Sequence, residues 1–215
     1  MTTQAMPAGP EWFGHPRGLF VCFATEMWER FSFYGMKYLL VLFLVQHHLF
    51  SDGEALRILG AYAALVYAMP LLGGIVSDRY LGQTKAVKLG GILLVLGHCA
   101  MAFEGVPATQ DIAGEVVRDD QAITVFYFAL ALIVVGVGLL KPNISTVVGR
   151  LYGDNDPRRD GGFTIFYMGI NIGAASASLL CGWLASAYGW AYGFGAAGIG
   201  TVSYTHLRAH ETPTN

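Results

Sequence analysis

Six long apolar runs interrupt this 215-residue sequence, at residues 19–47, 55–76, 86–103, 122–148, 163–187 and 190–202. A helix needs about 20 residues to cross a ~30 Å hydrocarbon core. Inside lipid only helices and closed barrels satisfy every backbone group. The runs are too long for barrel strands and lack their period-2 alternation. Composition agrees: 54% of residues are hydrophobic and 13% are Asp, Glu, Lys or Arg, against roughly 25% charge in a soluble domain. A net charge of −2 and no basic patch exclude a nucleic-acid binder. The expected fold class is therefore an all-α membrane protein, a six-helix bundle whose sixth helix is truncated. The first run is no signal peptide, because it is too long and carries charges inside it.

Loop charges set the expected orientation. Segment 77–88 carries Arg79, Lys85 and Lys88, and segment 150–160 carries Arg150, Arg158 and Arg159, so both belong in the cytoplasm. Segment 104–120 is acidic with Arg118 as its one cation, 48–54 has no Lys or Arg, and 186–189 has no charge. These alternate consistently and place a cytoplasmic tail at 1–18, followed by the membrane bundle at 19–202. Residues 203–215 are polar and aperiodic, and read as a non-native tail on a truncated chain. Cys22, Cys99 and Cys181 sit inside apolar runs and read as small buried residues, with no disulfide framework or zinc spacing.

The first run holds four ionisable residues, Glu26, Glu29, Arg30 and Lys37. Each costs roughly 2.5–3.5 kcal/mol at the centre of a span. At ~100° per residue they share an arc of about 140° with Phe33 and Tyr34. Trp28, Phe31, Gly35 and Leu39 take the other side. The polar stripe must face an aqueous cavity or partner charges. Glu26 and Arg30 form an i,i+4 pair, so ion pairs that only pack the bundle compete with a functional reading. Two carboxylates one turn apart resist ionising together, which is the chemistry of a proton carrier.

Lys141 lies in Gly-Leu-Leu-Lys-Pro-Asn of the fourth run. It is either a lysine snorkelling to an interface or the cross-bundle partner of Glu26 or Glu29. Pro142 after it frees a carbonyl and can kink the helix. Gly169, Gly173, Ala177, Cys181 and Ala185 recur every four residues, a stripe that lets helices approach closely. Asn171 lies off that stripe. Tyr62 reads as a packing aromatic and His98 as a packed histidine, while His47 and His48 read as solvated interfacial residues. No HExxH, GxSxG or usable His/Cys pairing supports an intramembrane enzyme.

Several of these residues fall in a familiar pattern. Glu26, Glu29, Arg30 and Tyr34 in Glu-Met-Trp-Glu-Arg-Phe-Ser-Phe-Tyr-Gly resemble the ExxERFxYYG element of the proton-dependent oligopeptide transporter (POT/PTR) family, part of the major facilitator superfamily. Gly-Gly-Ile-Val-Ser-Asp-Arg at Asp78 and Arg79, Gly-Leu-Leu-Lys-Pro-Asn at Lys141, and Phe-Tyr-Met-Gly-Ile-Asn-Ile-Gly at Tyr167 and Asn171 match in order. The resemblance implies an N-terminal half of such a transporter, with the C-terminal six-helix bundle missing. It implies symport of di- and tripeptides by alternating access, with protons as the coupling ion and no cofactor.

By position, Glu26, Glu29, Arg30 and Lys141 would couple protons. Arg30, Tyr34, Lys37, Tyr67, Lys141 and Asn171 would bind the peptide, and Asp78 and Arg79 would form a gating loop. Lys37 stands where many members have arginine and loses the bidentate fork. Phe33 stands where many have tyrosine. Some relatives carry nitrate, another small anion or a drug, which remains the alternative.

Overall fold

The computed structural model describes residues 10–153 and 155–196. Five long helices make up most of it: α1 (Arg17–Gln46), α2 (Asp52–Val76), α3 (Gln83–Met101), α4 (Asp120–Arg150) and α5 (Arg159–Tyr188). A sixth helix opens at residue 190 and is described to 196, and the tail expected at 203–215 lies outside the described residues. Among the described residues four helices are long and apolar enough to cross a membrane: Asp52–Leu81, Gln83–Met101, Asp120–Arg150 and Arg159–Tyr188. At 30 residues α1 has the length, but Glu26, Glu29, Arg30 and Lys37 in its interior set it apart from the other four.

Local chemistry starts and stops these helices. Ser51 and Glu54 form a capping box at the head of α2, and the Asp119 side chain accepts from the Ala122 N–H at the head of α4. The expected loop after α2 is instead helical. Ser77–Leu81 form one π-helical turn, and α3 begins after Gly82. Its φ of 72° suits only glycine comfortably.

Small residues decide the packing. α1 lies mainly on α5, while α3 and α2 lie on α4. Gly35 of α1 meets Cys181 and Ala177 of α5, and Gly173 of α5 meets the Met27 backbone. A side chain at Gly90 would put its Cβ 2.7 Å from the Gly136 carbonyl of α4. The small-residue stripe of α5 thus packs as its spacing predicts. Both faces of α1 are consequently covered. Phe31, Gly35 and Leu39, on the apolar side, are as buried as Glu26 and Glu29. Cys22 and Cys181 are buried as expected, but Cys99 is exposed, because α3 turns that side away from α4.

The two ends of the bundle differ. At one end, β1 (Glu11–Trp12) and β2 (His15–Pro16) form a hairpin ahead of α1, turning through Phe13 and Gly14 at φ 50° and 77°. It docks on the α4–α5 connection. Arg158 donates to Glu11 at 2.8 Å and to the Gly14 carbonyl at 3.0 Å, and His15 Nδ1 meets the Tyr152 hydroxyl at 2.8 Å. Arg158 also holds Asp156, and its hydrogen bonds push that carboxyl down to about 2. Residues 10–18 of the expected tail are therefore structured.

At the other end, β3 (Thr109–Gln110) and β4 (Val116–Val117) form a second hairpin. Here the expectation for His47 and His48 is corrected. They are 6% and 0% exposed, packed around Phe43 with Phe126, Trp190 and Phe194. The sixth helix closes over them, which the sequence of the first run does not show. His47 Nε2 meets the Glu104 carbonyl at 2.9 Å. Burial, with His47 and Arg118 nearby, pushes His48 down to about 4.

Candidate functional site

In the middle of α1, 3.6-residue periodicity stacks Glu26, Glu29 and Arg30 on one side. Arg30 Nε lies 3.0 Å from Glu26 Oε1 and 2.6 Å from Glu29 Oε2. The three side chains are 10%, 6% and 4% exposed for Arg30, Glu26 and Glu29 in turn. One guanidinium thus serves two carboxylates, and with both ionised the triad carries one net negative charge. The Arg30 guanidinium also lies 5.8 Å from the centre of the Phe33 ring. Phe33 stacks on Tyr62 of α2 and meets Tyr34 edge-on.

Lys141 enters from α4. Its charge is close enough to act on both Glu26 and Glu29. The partnership expected from the sequence is not made as a contact, however. Among the described residues no ion pair joins Lys141 to either glutamate, and its Nζ sits 5.2 Å over the Tyr67 ring. Arg30, on the same helix as both carboxylates, occupies them first. Lys141 and Tyr67, two of the expected substrate residues, are thereby brought together.

Pro142 does not end α4, which runs on to Arg150. Its ring denies the Gly138 carbonyl its helical donor. That carbonyl faces Gly73 of α2, where any side chain would collide with it. Asn143 spans the same break. Its Nδ2 donates to the Leu139 carbonyl at 2.7 Å, and its Oδ1 accepts from the Ser77 hydroxyl at 2.8 Å. Sequence reasoning missed this buried Asn143–Ser77 bond. A polar residue directly after a mid-helix proline was its only signal.

The other expected residues are dispersed. Tyr34 and Lys37 are half-buried, one and two turns beyond the triad. Lys37 forms no ion pair among the described residues. Asn171 is exposed on α5, its amide donating to the Tyr167 carbonyl at 3.3 Å. Asp78 and Arg79 are exposed on the π-helical turn, with Arg79 5.7 Å from the Tyr80 ring centre. No group of three or more His, Cys, Asp or Glu among the described residues could hold a metal ion.

Chemically, the triad is a buried ion cluster with a second cation, Lys141, nearby on α4. Helices long and apolar enough to cross a membrane surround this group. The chain belongs to the POT family, whose family model matches residues 84–203. Among curated relatives, a peptide transporter from Yersinia enterocolitica, YePEPT, is 43% identical over 94% of this chain and 38% of its own length. The uncharacterized transporter YclF of Bacillus subtilis is 45% identical over 88% of this chain and 36% of its own. The chain therefore spans less than two-fifths of these relatives. A solved peptide transporter POT, a mutant in complex with sulfate, superposes with a TM-score of 0.84 at 39% identity, over 96% of this chain and 39% of that one. A POT family transporter in complex with 5-aminolevulinic acid gives 0.79 at 33% identity, over 98% of this chain and 41% of that one.

Proposed function

We propose that the full-length protein is a proton-coupled symporter of di- and tripeptides in the cell membrane. The observation that carries this reading is the triad: two buried carboxylates share Arg30, with the Lys141 charge in reach of both. Lys141 brings the group to neutrality. A proton taken up by Glu26 or Glu29 then leaves a net positive charge, which the carboxylate of a peptide can offset. Proton and peptide therefore favour each other's binding, and this is the reciprocity that symport needs. Alternating access follows if the bundle described here rocks against a second one around the shared site.

Arg30, Lys37 and Lys141 would hold the peptide carboxylate, Tyr34 and Tyr67 would shape its side-chain pockets, and Asn171 would bond near its amino end. Asp78 and Arg79 would latch the gate. The Lys/Arg bias puts the β1–β2 end, with the N-terminus, in the cytoplasm. In full-length protein reconstituted in liposomes, Glu29→Gln or Glu26→Gln is expected to abolish pH-gradient-driven dipeptide accumulation while leaving dipeptide counterflow. Undiminished accumulation in both variants would remove their coupling role. A second reading, a small amino-acid-like or drug substrate, draws support from the 5-aminolevulinic acid complex of the 33% identical relative. Competition of such compounds against dipeptide uptake separates the two.

A further inference from the structure

Next to the triad lies a small, partly open cavity between α1, α2, α3 and α4. Its walls include Glu29 and Ser32, Tyr62 of α2, His98 of α3, and Ile133 and Val137 of α4. Glu29, Tyr62 and His98 are 5%, 3% and 1% exposed. Each carries a polar atom with no protein partner: Glu29 Oε1, Tyr62 Oη and His98 Nδ1. Buried polar groups in native structures are nearly always hydrogen-bonded, because a bare one forfeits its whole hydration. Three such groups, from three different helices, line the same cavity. Packing alone does not call for them, since apolar side chains of similar shape would fill the space without that cost.

A shared small partner would satisfy all three. A carboxylate oxygen accepts, a phenol donates and accepts, and an imidazole nitrogen does either. A buried water needs two to four such neighbours, and the cavity has room for about one molecule. We propose that this cavity is a built water site, and that its water ties Glu29 to Tyr62 and His98, making those two side chains positioning residues for the Glu29 proton. Water donates to the ionised carboxylate and accepts from the neutral acid, so both protonation states find a partner. The charged groups around it are Glu26 and Arg30 on α1 and Lys141 on α4, while the α4 side chains in the cavity wall, Ile133 and Val137, are apolar. The role, though not the water site itself, rests on the proposed coupling function of Glu29.

The test uses the full-length protein. A density map that shows ordered water is expected to place one molecule about 2.5–3.2 Å from Tyr62 Oη and from Glu29 or His98. In liposomes, Tyr62→Phe and His98→Leu are each expected to move the pH midpoint of peptide uptake by about one unit, ten-fold in proton affinity, in the same direction. The double variant should shift by less than the sum, because both changes act on one water. His98→Gln, which can still hydrogen-bond water, should stay near the parent midpoint. Tyr62→Phe removes one hydroxyl from an unchanged ring, so it reports even if His98→Leu fails to fold. A cavity without water in the map, or a parent midpoint in folded Tyr62→Phe, overturns the proposal. If the parent protein shows no proton-driven peptide uptake, the transport reading fails instead, and the map alone decides the water site.

Discussion

Arg30 and Arg158 each hold two carboxylates, one pair in the middle of the bundle and the other at its end. The distances are alike: 3.0 and 2.6 Å from Arg30 to Glu26 and Glu29, and 2.8 Å from Arg158 to both Glu11 and Asp156. The surroundings are opposite. Side chains of the Arg30 group are 10% exposed or less, whereas Arg158 and Glu11 are 42% and 48% exposed. At the end of the bundle water can replace any lost partner and salt screens the rest. In the middle there is room for about one water molecule, so the loss of one member strands the other charges. The end group therefore fastens a hairpin, while the middle group must respond to every change in charge, including a proton.

The comparison breaks most visibly at Arg30. Arg30→Ala in the full-length protein should destabilise it by about 3–5 kcal/mol, read as a lower Tm, and stop gradient-driven uptake. An unchanged Tm would mean that bulk solvent reaches the triad. Arg30→Lys keeps the charge but cannot fork to two carboxylates, so its loss should be smaller and fall on coupling.

His48 extends the contrast to a buried group at the end of the bundle. Its pKa falls from 6.5 unfolded to about 4 folded, so the unfolded chain takes up the proton first. Stability should be full above about pH 6.5 and decline between there and pH 4. His48→Phe should remove that decline in a series of melts, and an equal decline in the variant would place its source elsewhere.

Arg158→Gln should lower Tm slightly in low salt and not at all in 1 M salt, whereas the Arg30→Ala defect should persist in both. The smallest effect is expected from Asp156→Asn. The Asp156 carboxyl sits at about 2 when folded, against 3.8 unfolded. Its contribution is therefore present above about pH 4 and lost as pH falls toward 2, and the two melting curves should converge there.

Much of this molecule can be read from its residues one helix at a time. Run lengths place the helices to within a few residues, although α1 starts at Arg17 rather than 19 and the segment after α2 stays helical up to Gly82. The four charges of the first run announce a polar arc, and the motifs around Glu26, Lys141 and Asn171 point to the family. His47 and His48 mislead because they sit at the end of a run beside polar residues, where solvation is the ordinary outcome. The aromatic residues packed with them around Phe43, namely Phe126, Trp190 and Phe194, come from segments far along the chain. Cys99 misleads in the other direction, since membership of an apolar run does not say which side of α3 meets α4.

The sequence by itself determined the helices, their order and the buried charge on α1. Hydropathy and periodicity are local properties, and charge inside a span has few places to go. Only the tertiary structure decided that Arg30 rather than Lys141 holds both glutamates, and that Asn143 reaches Ser77. It alone brought Tyr62 and His98 to one cavity with Glu29. Those pairings depend on how far each helix is rotated and how closely it approaches its neighbour. Backbone contacts at Gly73, Gly90 and Gly173 set that distance, through the absence of side chains whose consequence appears only when two helices meet.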